Sequence, residues 1–194
     1  MKLKKMTLLL ASTVVASLGC LAQENNSPRI SVAPDKVLIA YYSWSGNTRY
    51  AAEVIQKDTG GVLFEIKPKI AYPTTYKECL AKAQKECREG LTPELVAMPD
   101  DLKKYEVIFV GSPNWYGTMA PPVRTFLSSP ELNGKTIVPF FTHGSGGMQN
   151  CERDVNRVCT HAKVLPAAAF TGSSIKQSDA ALQQFVRDRI ELKK

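Results

Sequence analysis

The residue types best suited to chemistry stand together in Tyr41-Tyr42-Ser43-Trp44-Ser45-Gly46-Asn47-Thr48, where hydroxyls, an amide and a glycine separate two regular patterns. Val37 to Ala40 has the length and apolar content of a buried strand, and Arg49 to Lys57 reads as a helix. Where a strand hands over to a helix, the free N–H groups of the first turn and the positive end of the dipole favour an anion. Gly46 lets the backbone come close, and Ser43, Ser45 and Thr48 can each donate a hydrogen bond. A purely structural reading competes, in which Ser45 or Thr48 caps the helix. No Lys follows the glycine and no further glycines stand at dinucleotide spacing, which excludes the nucleoside-triphosphate loop and the dinucleotide fingerprint. A site for one phosphate, without lysine or metal, remains.

The elements that must position this loop alternate along the chain. Apolar runs recur at Val62 to Ile66, Tyr105 to Val110, Thr136 to Phe141 and Val164 to Phe170. Helical patterns fill the gaps at Thr75 to Glu89, Pro121 to Ser128, Gln149 to His161 and Ser178 to Leu192. In the last of these, Leu182, Phe185, Val186 and Ile190 share a face. Strands interleaved with helices imply an α/β fold, a doubly wound five-stranded parallel sheet covered on both sides. Pro139 cannot donate to a ladder, so a bulge or strand end is expected there.

With right-handed crossovers and strand order 2-1-3-4-5, a ligand belongs at the carboxyl ends of strands one and three. Strand three leads into Gly111-Ser112-Pro113-Asn114-Trp115-Tyr116-Gly117, and strand four into Thr142-His143-Gly144-Ser145-Gly146-Gly147. Adjacent Trp and Tyr on a loop beside a phosphate site suit a flat ring. Strands one and three end in Tyr42-Ser43 and Gly111-Ser112, so no carboxylate is placed for phosphorylation as in a receiver domain.

Ser43-x-Ser45-Gly46-x-Thr48 resembles the flavodoxin phosphate fingerprint, and the two later loops are similar to those that hold the isoalloxazine ring in flavodoxin-like proteins. Pro121 to Leu127 and Asn133-Gly134-Lys135-Thr136 resemble connections of the same family. The likeness spans about residues 36 to 192 and implies a flavodoxin-like fold, FMN held without a covalent link, and electron transfer. It places the phosphate on Ser43, Ser45, Gly46, Asn47 and Thr48, with Trp44 in the same loop. The ring is expected against Trp115 or Tyr116, with Ser112, Pro113, Asn114 and Gly117 in the loop shaping its edge, and Thr142, His143, Gly144 and Gly147 opposite. A tyrosine of Tyr72-Pro73-Thr74-Thr75-Tyr76 can border the pocket, while Thr74 or Thr75 caps the next helix. His143 is the catalytic candidate, as a general acid, or else a hydrogen-bond partner of the flavin edge that orders its loop. His161 reads as a C-terminal cap.

Lys2, Lys4 and Lys5 precede an apolar run from Met6 to about Leu18, the pattern of a secretory signal over residues 1–22. Two endings are open: a lipoprotein box at Ser17-Leu18-Gly19-Cys20, which would put a lipid anchor on Cys20, or cleavage after Ala22. Either implies an exported protein, periplasmic or lipid-anchored. Residues 23–35 read as a tether and 36–194 as one domain.

Removing the three signal lysines lowers the net charge from +7 to +4, and no basic run with interleaved aromatics suggests nucleic acid. Ordinary flavodoxins are acidic, so the resemblance implies different redox partners here. Cys79 and Cys87, and likewise Cys151 and Cys159, are eight apart, about 12 Å along one helix, too far to bridge. Buried small side chains are the first reading of all four, and a cross-helix bridge stays open. Three functions follow: an FMN electron carrier serving a partner protein; an FMN-dependent NAD(P)H oxidoreductase acting on a quinone, nitro or azo compound; and an exported binding protein that has lost its flavin.

Overall fold

The computed structural model describes residues 29–193, so the signal segment, Cys20 and the lipid-anchor reading lie outside the described residues. In chain order the elements are β1 (Ile30–Val32), β2 (Val37–Tyr41), α1 (Asn47–Thr59), β3 (Val62–Glu65), α2 (Tyr76–Glu89), β4 (Val107–Trp115), β5 (Thr118–Met119) and α3 (Pro121–Leu127). There follow β6 (Thr136–His143), α4 (Cys151–Val158), β7 (Lys163–Val164), β8 (Ala168–Thr171), α5 (Asp179–Arg187) and β9 (Ile190–Leu192).

The central sheet runs β3-β2-β4-β6, with β7 and β8 successively along the far side of β6, and all these pairs are parallel. Counting β7 and β8 as one interrupted strand gives the expected order 2-1-3-4-5. Successive residues of a strand point to opposite faces, and the two cores show it. Leu38, Ala40, Ile108 and Val110 join the cluster that contains Cys79, Phe126 and Val155 of α2, α3 and α4. Val37, Ile39, Val107 and Phe109 join Ile55 and Phe185 of α1 and α5. All five residues of β2 are buried. Full burial of each large apolar side chain is worth roughly 1.5–3 kcal/mol, so β2 cannot slip register without exposing one core or the other.

Pro139 lies inside β6, and the bulge it demands forms in the neighbouring strand. Leu165 N–H donates to the Ile137 carbonyl (2.9 Å), and two residues on, Pro139 faces the same neighbour with no N–H to offer. Ile137 pairs with Val164 and Phe140 with Ala168, so three steps on β6 match four on its neighbour. The extra residue splits strand five into β7 and β8.

Both ends of the described domain depart from expectation. Residues 30–35 are not tether: β1 pairs in parallel with β9, and Val32 is fully buried. The last helix stops at Arg187, and Ile190 belongs to this small sheet rather than to a final helical turn. Apolar residues at both termini of the domain pair because each covers the same core. Likewise α4 ends at Val158, so His161 lies beyond the last turn, where its carbonyl accepts from Gly134 N–H (2.7 Å).

Candidate functional site

A cleft of about 400 Å³ opens at the carboxyl ends of β2, β4, β6 and β8, lined from the first side by Trp44, Ser45 and Asn47 of the β2–α1 loop. Pro113, Asn114, Trp115 and Tyr116 form its second wall, and Thr142, His143 and Gly144 its third.

The first turn of α1 has no side-chain cap on its N–H groups. The N-cap of α1 is Gly46, at φ +90°, and no side chain caps the helix, so Ser45 and Thr48 are not the capping residues of the structural reading. The first helical acceptor is Gly46 O, bonded by Tyr50 N–H (3.0 Å). The N–H groups of Asn47, Thr48 and Arg49 precede it and constitute the anion-facing end of the helix. Ser43 Oγ accepts from Gly46 N–H (3.1 Å), which shapes the turn. Thr48, 1 % exposed, shares a 2.7 Å hydrogen bond with Thr142, 4 % exposed, so the first loop is tied directly to the third. Arg49 is turned to Glu65 (2.5 Å), and the loop itself carries no cation.

The second and third loops are tied by one amide. Asn114 Nδ2 donates to Gly147 O (2.7 Å) and to Gln149 Oε1 (2.9 Å), and Asn114 Oδ1 accepts from Gly117 N–H (2.9 Å). Ser112, fully buried, accepts from Ala120 N–H and donates to Pro113 O, both 2.9 Å, and so braces the hairpin rather than the cleft. Tyr116 and Gly117, at φ +51° and +84°, make the primed turn that joins β4 to β5. Trp115 has Tyr72 edge-on behind it at 4.8 Å and Tyr42 at 5.5 Å. Burial, then the hydrogen-bonded Glu86 carboxylate, pushes the Tyr72 phenol far up, so it is a neutral donor at ordinary pH.

The family model of flavodoxin matches residues 36–189. The chain belongs to the flavodoxin family. Among solved structures it is similar to one from Bacteroides uniformis, at 25 % identity and TM-score 0.69, covering 79 % of this chain and 98 % of that one. It is also similar to the Lactobacillus acidophilus flavoprotein in complex with FMN, at 26 % identity and TM-score 0.63, covering 74 % and 97 %. The apo form of the flavoprotein from that organism matches at 26 % identity and TM-score 0.57, covering 74 % and 96 %.

The residues of this flavodoxin fit a flavin mononucleotide. The cleft volume is that of a small-molecule site, one end presents neutral phosphate donors, and Trp115 and Tyr116 flank the other. His143 Nδ1 is buried and has no hydrogen-bond partner among the described residues, a condition that a ligand hydrogen bond relieves.

Ten expected residues line the cleft: Trp44, Ser45, Asn47, Pro113, Asn114, Trp115, Tyr116, Thr142, His143 and Gly144. The other six are not part of its lining. Ser43, Gly46 and Thr48 shape the first loop, while Ser112, Gly117 and Gly147 set the other two. Tyr72 lies behind Trp115, whereas Tyr76 lines the cleft. Thr75 is the N-cap of α2, and its hydroxyl donates to Glu78 (2.5 Å).

Apart from Tyr76, one of the tyrosines expected to border the pocket, two walls were not expected. Tyr76, Cys79, Leu80 and Ala83 of α2 close one side, and Tyr116 donates to Leu80 O across it (3.0 Å). Gly172 and Ser173 close the other, where a Cβ on Gly172 would stand 2.5 Å from Asn47 Nδ2. Thr171-Gly172-Ser173-Ser174 repeats the hydroxyl and glycine composition of the other rim loops, a signal that could have found it. All four described cysteines are free thiols, which leaves no cross-helix bridge among them.

Proposed function

We propose that this flavodoxin holds FMN in the cleft and transfers electrons through it outside the cytoplasm. The bound flavin supplies the redox chemistry, and the protein supplies binding, orientation and electrostatics. The observation that carries the reading is the convergence of an uncapped helix N-terminus, an aromatic wall and the partnerless Nδ1 of His143 on one cleft. The first-turn N–H groups of α1, with Ser45 and Asn47, hold the phosphate. Trp115 covers one face of the ring, held in place by Tyr72. His143 hydrogen-bonds the flavin edge and orders the third loop.

Export is inferred from the three lysines and the apolar run at residues 2–18, with lipid on Cys20 or plain cleavage after Ala22. Secretion of an unfolded chain then requires FMN to be taken up after folding. The solved apo form of the Lactobacillus acidophilus flavoprotein is a precedent for a folded, flavin-free state. The redox partner is a protein docking without strong basic-to-acidic steering, since this chain is itself net positive.

A second reading is favoured by Tyr76, 69 % exposed, and Tyr116, 47 % exposed, at the mouth of the cleft. These would flank a small planar acceptor, as in an NAD(P)H:quinone, nitro or azo oxidoreductase. Reconstitution with FMN and anaerobic addition of NADPH separates the two. The carrier is not reduced by NADPH alone but, once reduced by dithionite, passes electrons to a one-electron acceptor. Rapid NADPH reduction with sustained quinone turnover instead establishes the enzyme.

A further inference from the structure

Thr48 and Thr142 come from loops 94 residues apart, and their hydroxyls meet at 2.7 Å in a buried position. Each hydroxyl carries one hydrogen, and the contact uses only one of the two. Neither oxygen has another hydrogen-bond partner among the described side-chain bonds. One hydroxyl hydrogen is therefore left without an acceptor in a place that water barely reaches, which costs free energy unless a ligand supplies the acceptor.

Thr48 is the second residue of α1, beside the free N–H groups of its first turn, and Thr142 stands on the cleft wall, in register with Pro113 of β4. The strongest acceptor either can meet is an anion at the helix N-terminus. We infer that Thr142 is a positioning residue for phosphate recognition: it donates to Thr48 Oγ, so that the Thr48 O–H is aimed at the FMN phosphate. The inference rests on the FMN reading above and assigns Thr142 to the phosphate, where the family resemblance sets it beside the ring. The relay polarises the Thr48 hydroxyl and strengthens its bond to the dianion. It also makes the site prefer FMN over riboflavin, which has the same ring and ribityl chain but no phosphate. Gly111 keeps the space, since a Cβ there would stand 3.0 Å from Thr48 Cγ2.

The test is the ratio of FMN to riboflavin affinity, measured by fluorescence titration of the flavin-free protein. Thr142→Val, close in shape, should weaken FMN by about tenfold and leave riboflavin within about twofold, collapsing the preference. Thr142→Ser, which restores the donor, should restore the ratio. Thermal melting of each flavin-free variant checks that the fold persists. Equal losses for both flavins would overturn the inference and put Thr142 on the ring or ribityl chain, as would an unchanged ratio in Thr142→Val. Failure of the unaltered protein to bind either flavin removes the FMN reading itself, a result distinct from an altered ratio.

Discussion

The phosphate end of the cleft and the ring end are built on different physics. At the phosphate end, one continuous strand–loop–helix segment supplies the donors, Gly46 takes the left-handed N-cap, and Thr48 is sealed against Thr142. At the ring end, a hairpin tip at Tyr116 leans on α2, exposed tyrosines form the mouth, and one bond to Leu80 O holds them. The first region is closed by a buried hydrogen bond between its own helix and the third loop. The second is assembled from elements far apart in sequence and is half open to water.

The contrast breaks most visibly at Gly111. A Cβ there would stand 2.3 Å from the Phe140 ring and 3.0 Å from Thr48 Cγ2. Gly111→Ala should lower stability by ~2–3 kcal/mol in urea unfolding and weaken FMN as Thr48 is displaced. An unchanged midpoint would mean that the phosphate end is as pliant as the ring end. Next in size, Thr48→Ala should cost FMN binding ~1–3 kcal/mol through the loss of a charge-assisted hydrogen bond, read by titration. Tyr116→Phe, at the ring end, removes only the bond to Leu80 O from an exposed side chain and should change FMN affinity by less than about 1 kcal/mol. A larger loss there than at Thr48 would invert the comparison.

The same division explains what was legible in the sequence. The order 2-1-3-4-5 and the three rim loops follow from local patterns, because strand runs, glycines and hydroxyls are each read within a few residues. The α2 wall was not legible as a wall. Tyr76, Cys79, Leu80 and Ala83 form the same helical stripe whether they meet the core or a ligand, and only the tertiary path of residues 66–75 decides between them. The pairing of β1 with β9 was hidden for a similar reason: three residues at each terminus carry no pattern that identifies the other as partner. Pro139 announced a disturbed ladder, but nothing local said that the neighbouring strand would absorb it.

Smaller effects sharpen the picture. Burial pushes the thiols of Cys87 and Cys159 up to about 11 and that of Cys151 to about 12, and raises Cys79 as well. All four should therefore react slowly with a thiol reagent at pH 8 and quickly on unfolding. FMN should further protect Cys79, which lines the cleft. Rapid labelling of Cys79 in the FMN-loaded protein would argue that α2 does not close over the ring.

Burial raises the Glu65 carboxyl, but hydrogen bonds from Arg49 and Lys67 outweigh it and hold the group below its ordinary range. A carboxylate with a lowered folded value contributes stability above the unfolded pKa and loses it as pH falls through the folded one. Arg49→Ala should therefore lower stability slightly near neutral pH, and the difference from the unaltered protein should shrink as pH falls until Glu65 is protonated in both states. Melting temperature against pH records it.

The central claim is that three distant loops make one site for a phosphorylated flavin. It is tested most directly by titrating the flavin-free protein with FMN while following the visible absorbance. The account predicts a saturable spectral change complete at a single equivalent, with riboflavin binding clearly more weakly. Absence of any saturable change, or equal binding of the two flavins, would contradict it.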